Sequence, residues 1–219
     1  EGFIIEKKEV KPHISIGGYE NILIRNNQLI GGNSETETTN DAGILFPNKQ
    51  AKAVTIEGNQ ILNNSGNGIY VQSTGLAESG ASLTIKNNII ENNRTGIALS
   101  STLENNASVV IEANTFKDNR AHGISLTGKN YELTVEGNVF EDNVRSHISD
   151  RRYDLENDLV NPDRESLVAE NTIKGAYAWA WSDKENDSRW LLVPVEEELF
   201  KLSWDEEFEE NLTASINEE

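Results

Sequence analysis

Cysteine is absent from this chain of 219 residues, and so is methionine. Without thiols there is no disulfide framework, no thiolate nucleophile and no cysteine-bound zinc. Long apolar runs are missing too: none approaches the ~20 residues that a membrane-spanning helix needs. Basic residues are scarce, with 19 Lys and Arg against 37 Asp and Glu, for a net charge of -18. A nucleic-acid backbone calls for a basic stripe, so that class of partner is disfavoured. Half of the acid surplus sits in residues 196–219, where ten acids face one base, Lys201. Such a run reads as a solvated acidic terminus. The surplus also counts against a highly acidic polymer as ligand unless cations bridge it.

A chain that opens on Glu1 and contains no Met fits either a secreted form that has lost its leader or a trimmed fragment. Phe3, Ile4 and Ile5 read as a strand with no cap before it, which predicts upstream coils, a further domain or a partner copy at that end.

What the chain has in their place is a repeat, and a repeat decides the fold before secondary structure is considered. "VTIEGNQILNN" (54–64) returns as "LTIKNNIIENN" (83–93), "VVIEANTFKDN" (109–119) and "LTVEGNVFEDN" (133–143). A looser copy begins at Ile22 and a decayed one, "SLVAENTIKG", at Ser166. Most copies are followed by a second apolar burst led by Gly, as in "GIYV" at Gly68, "GIALS" at Gly96 and "GISLT" at Gly123. The Asn closing each first burst falls at 27, 59, 88, 114, 138 and 171. These unequal intervals suit a fixed cross-section with loops of free length, not an array of helical hairpins.

Each burst alternates, with Val54 and Ile56 inward and Thr55 and Glu57 outward, as a short strand does. Stacked copies pair in parallel at about 4.8 Å. Three strands per turn predict an all-β parallel β-helix, right-handed by the usual chirality of parallel crossovers. The expected body is six to seven coils over residues 1–175, closed by a cap and acidic tail over 176–219. The asparagines serve two purposes in this reading: they tolerate left-handed bends, and they stack into hydrogen-bonded ladders. Asn59, Asn88, Asn114 and Asn138 form one column, and Asn64, Asn93, Asn119 and Asn143 a second.

With "EGNQILNNSGNGIYV" and its copies over residues 14–175, the sequence resembles the right-handed parallel β-helix repeat family. That family is also described as pectate-lyase-like, or as carbohydrate-binding and sugar-hydrolase repeats. The resemblance implies a secreted or cell-surface protein that binds or degrades an extracellular glycan. Within the same family are adhesins, tailspike segments and assembly scaffolds with no catalytic site, since fold alone does not give function. The Asp-Pro-His-Asp motif of the alginate epimerases is missing, as is the Asn-Thr-Asp, Asp-Asp and Arg-Ile-Lys set of the polygalacturonases. No named active site therefore transfers residue by residue.

Residues that break the copy are the better candidates for chemistry. The loop over 149–165 outgrows its predecessors at 72–82, 100–108 and 127–132, which predicts a low saddle on that side. Arg120 follows the second Asn column one coil after Arg94. His122 precedes the Gly123 burst, His147 stands where other coils carry Gly, and Asp150, Arg151 and Tyr153 follow. These are the groups a lyase or hydrolase uses: a cation to neutralise a carboxylate, a base, and a proton donor. Their alternative role is that of solvated loop residues paired with nearby carboxylates. A second candidate is the column Asn63, Asn92, Asp118 and Asp142, whose two stacked carboxylates make a candidate calcium site. Tyr177, Trp179, Trp181 and Trp190 read as a cover for the last coil's open core, and Ser203 with Glu206 has the spacing of a helix capping box.

Overall fold

The computed structural model describes residues 1–7, 11–18, 20–31, 41–47, 51–72, 80–100, 107–127, 131–152, 164–182 and 189–195. The chain winds through short strands joined by tight corners. An incomplete first coil carries β1 (Ile4–Glu6) and β2 (Ile14–Ser15). The next two coils are β3 (Ile22–Arg25), β4 (Gln28–Ile30) and β5 (Ile44–Phe46), then β6 (Ala53–Glu57), β7 (Gln60–Leu62) and β8 (Asn67–Val71). After them come β9 (Ser82–Lys86), β10 (Ile89–Glu91) and β11 (Thr95–Leu99). The last two full coils are β12 (Ala107–Glu112), β13 (Thr115–Lys117) and β14 (His122–Leu126), and β15 (Tyr131–Glu136), β16 (Val139–Glu141) and β17 (Ser146–Asp150). A helix α1 (Arg164–Ala169), β18 (Thr172–Ile173), β19 (Tyr177–Ser182) and β20 (Arg189–Pro194) close the described chain.

Like strands pair with like strands in three faces. Sheet A runs β1-β4-β7-β10-β13-β16-β18, sheet B runs β2-β5-β8-β11-β14-β17-β20-β19, and sheet C runs β3-β6-β9-β12-β15. Among the described residues all pairings are parallel except β17 with β20 and β20 with β19. The parallel β-solenoid expected from the repeat is the observed fold. Among the described residues five coils are complete, fewer than the six to seven expected. The difference lies in the decayed copy at Ser166, which forms α1 instead of a further strand of sheet C. The segment stays tied to the last coil, with Gly137 N–H donating to the Glu170 carbonyl at 2.6 Å. Leu167 and Val168 of α1 are buried against the core and cover its open end.

Alternation sets the interior. Val54 and Ile56 are buried and Thr55 and Glu57 are not, and the same pattern recurs along β9 and β12. Phe116 and Phe140 stack at 5.0 Å between ring centroids inside the tube.

Both Asn columns are present as ladders. In the first, each Nδ2 donates to the next Oδ1, from Asn27 through Asn59, Asn88, Asn114 and Asn138 to Asn171, at 2.9–3.0 Å. In the second, Asn64, Asn93, Asn119 and Asn143 do the same at 2.7–3.3 Å. The left-handed bend is not made by these rungs. It falls on the residue before each rung except Asn171: Asn26, Gly58, Asn87, Ala113 and Gly137 in the first column, and Asn63, Asn92, Asp118 and Asp142 in the second, all with φ between 50° and 65°. One residue takes the strained backbone and its neighbour takes the hydrogen bonds.

At the C-terminal end Trp179 is buried in the core. The Arg164 guanidinium lies 4.0 Å from the Trp190 ring centroid and 5.6 Å from that of Trp179. Both indoles thus belong to the end cover. Ser203, Glu206 and the acidic terminus lie outside the described residues.

Candidate functional site

Sheet B presents two outward rows along the rod. Register aligns Asn67, Thr95, His122 and Ser146 in one, and Tyr70, Ala98, Ser125 and Ser149 in the other. Small side chains at Thr95, Ala98 and Ser125 leave a cleft of about 530 Å³ over these strands. His122 lies on its floor and Tyr70 on its wall, with Arg94, Arg145, Arg151 and Arg189 around it. None of the described residues lining it is acidic. On a chain of net charge -18, this is a local reversal of sign.

Arg94, Arg151 and Arg189 make further contacts within the chain. The four cations act on His122, whose Nδ1 is 2.7 Å from Ser146 Oγ. Burial first, and then repulsion from Arg189, Arg145, Arg151 and Arg94, push its pKa down to about 4. The imidazole is therefore neutral at physiological pH.

The sequence-based candidates separate. His122 and Arg151 meet in the cleft. Tyr153 lies outside the described residues. Asp150 is buried, and both its carboxylate oxygens accept from Arg152, Oδ1 from Nε and Oδ2 from Nη2, each at 2.9 Å. His147 points into the tube instead of the saddle. It is fully buried, its ring lies edge-on to Phe140 at 6.2 Å, and its Nδ1 is 3.3 Å from Asn143 Nδ2. It occupies the place where the second ladder would otherwise need another Asn, and burial holds its pKa near 4.

Arg120 is displaced for a countable reason. Asn and the aligned Gly are separated by three residues in "NSGNG" and "NRAHG", but by only two in "NRTG" at Asn93. The shorter corner puts Arg94 in register with Ala121 and Arg145 instead of with Arg120. Arg120 then reaches back two coils, and its Nη2 donates to the Asn64 and Ser65 carbonyls at 3.0 and 3.1 Å. It serves as a donor that the shortened corner lacks. Arg120→Ala is expected to lower the unfolding free energy by about 2 kcal/mol through these charge-assisted bonds. Urea titration followed by circular dichroism checks this, and a loss under about 0.5 kcal/mol would remove the assignment.

Asp118 and Asp142 take the left-handed corner positions, with φ of 51° and 50°, a conformation that Asp tolerates. Lys117, beside them, pairs with Glu141 at 3.1 Å. Among the described residues no three His, Asp or Glu side chains converge as a metal cage.

Arg145 and Arg189 were missed in the sequence. Counting back from the Gly column, not forward from the Asn column, aligns Arg145 with Arg94. Arg189 arrives on an antiparallel strand that no repeat announces.

A family model described as a right handed beta helix region matches residues 4–140. No curated protein and no solved structure matches the chain. No described helix is long and apolar enough to cross a membrane.

Proposed function

The chain belongs to the right-handed β-helix family, whose model covers more than half of it, and from that premise we propose that the arginine-lined cleft binds an acidic extracellular polysaccharide. The observation that carries this reading is the convergence of four guanidinium groups on one neutral histidine in a cleft without a described acidic lining residue. Guanidinium groups match carboxylate and sulfate oxygens in a planar fork. Asn67, Thr95 and Ser125, which line the cleft, offer donors and acceptors to sugar hydroxyls, and Tyr70 offers a ring face to a pyranose. The overall negative charge is no obstacle at short range, since interactions beyond about 8–10 Å are screened at physiological salt.

Binding is the reading proposed because it needs only the convergence of cations; a neutral imidazole among them is also the right type of base, but in the free protein its pKa of about 4 makes it a weak one. The competing structural-module reading predicts no saccharide affinity at all.

The test is a panel of carboxylated, sulfated and neutral oligosaccharides, with and without calcium, read by calorimetry and by absorbance of new double bonds. Acidic members should bind, with affinity falling as salt rises. The double variant Arg94→Ser with Arg145→Ser should weaken binding at least about tenfold, roughly 1.4 kcal/mol, with its circular dichroism unchanged. Equal binding of neutral members, or undiminished binding by the double variant, would sink the reading. Silence across the panel would favour a scaffold.

A further inference from the structure

We propose that ligand binding in this cleft is coupled to proton uptake by His122, so that the site holds an acidic ligand more tightly as the pH falls. The inference rests on the reading of the cleft as an acidic-ligand site, and it adds how that site is regulated.

Among the described residues, His122 is ringed by groups from each strand that lines the cleft. Arg94 and Thr95 face it from the β11 side, Arg145, Ser146 and Arg151 from the β17 side, and Arg189 from β20. Asn67 and Tyr70 complete the β8 side. Among the described residues no carboxylate lines the cleft. Asp150, the nearest acid in sequence to Arg151, is buried and engaged by Arg152.

In the free protein, burial and four like charges oppose an imidazolium, and the ring stays neutral down to about pH 4. A bound carboxylate or sulfate reverses the second of these causes. Its charge offsets the guanidinium field and supplies an acceptor for the ring's other nitrogen, and both favour the protonated form. Ser146 needs no rearrangement to follow. Its hydroxyl, 2.7 Å from Nδ1, donates to a neutral Nδ1 and accepts from a protonated one.

The sign follows from linkage. The complex holds its proton more tightly than the free protein, so binding takes up protons at any pH between the two pKa values. Affinity is flat above the pKa of the complex. It rises by up to about tenfold per pH unit on descending through the window, and levels off near the free value. A positively charged neighbourhood without this histidine would show only the ligand's own titration.

Sucrose octasulfate is the probe, because its sulfate groups stay ionised throughout the window. Calorimetry is run on the whole chain at about pH 7.5 and about pH 5 in buffers of differing ionisation heat. The expected result is net proton uptake and an affinity gain of at least about fivefold at the lower pH. Both should vanish in His122→Gln, whatever that variant's affinity at the higher pH. Imidazole proton resonances should show the His122 pKa rising on saturation, while buried His147 stays unchanged. Binding without proton uptake, or an unaltered pH profile in His122→Gln, would overturn the proposal alone. Absence of binding at every pH would overturn the acidic-ligand reading together with it.

Discussion

Asn88→Ala is expected to destabilise the protein by about 4 kcal/mol. The Asn88 amide is a hub. Its Nδ2 lies within hydrogen-bonding distance of the Ile56 carbonyl at 3.0 Å, the Lys86 carbonyl at 2.9 Å and Asn114 Oδ1 at 2.9 Å. Its Oδ1 accepts from Asn59 N at 2.9 Å and Asn59 Nδ2 at 3.0 Å. Alanine would strand the Asn59 backbone donor and leave the Ile56 carbonyl without this amide, in a region where Asn88 is 1% exposed. Each orphaned buried group costs about 1–3 kcal/mol. Because a rung both donates to one neighbour and accepts from the other, polarisation along the column adds to the loss.

A comparison between two substitutions isolates the chemistry. Asn88→Asp keeps the shape but exchanges a donor for a second acceptor facing three oxygens, so it should be worse than alanine at neutral pH and recover partly in acid. If it matched the parent, the ladder would not be the stabilising element. Chemical denaturation monitored in the far ultraviolet reads both variants. A cost under about 1 kcal/mol for alanine would place the energy elsewhere, in the apolar stack.

The repeat was legible because solenoid stacking copies one local solution, and copying is visible. Both Asn columns, the inward Val and Ile positions and the parallel pairing follow from residues 54–143 alone. What could not be read is where the copy changes direction. Ser166 to Lys174 keeps Asn171 as a rung, with Asn138 donating to it at 2.9 Å, yet its leading residues become a helix. A local match to the repeat does not say that no strand will follow. The choice of left-handed residue was blurred for a related reason. Asn occupies both the bend and the rung in "KNN" (86–88), whereas "EGN" (57–59) and "EAN" (112–114) separate them, with Gly58 and Ala113 at the bend.

The cleft was half legible. His122 and Arg151 were identified as exceptions to the repeat, and both line it. Total charge hid the local sign of the cleft, since a sum over 219 residues does not show that four arginines share one face. His147 misled in the opposite sense. Replacing a repeated Gly looks like function, but the structural reason lies one layer below. In each coil above, the Gly faces the next coil's strand and an inward side chain of sheet A, whereas the His147 ring lies inside the tube against Phe140 and Asn143.

That contrast yields the second large effect. Gly68→Ala should cost at least about 3 kcal/mol, a melting decrease of about 6–12 °C for a chain of this size. A Cβ at Gly68 would lie 2.6 Å from the Gly96 carbonyl oxygen, 2.8 Å from Ile90 Cγ2 and 3.2 Å from Asn93 Nδ2. The first obstacle is backbone and cannot rotate away, and the third is a ladder rung. Relief requires parting β8 from β11, which breaks parallel hydrogen bonds on both sides of the corner. Solvent-facing Gly80, with nothing within 4 Å of a Cβ but a φ of +73°, is the control for backbone conformation without crowding, and Gly80→Ala should cost about 1–2 kcal/mol. Differential scanning of the two variants separates the causes. A Gly68→Ala protein that melts with Gly80→Ala would mean the coils yield to accept a methyl group. The Gly column would then owe its composition to something other than close approach between successive strands.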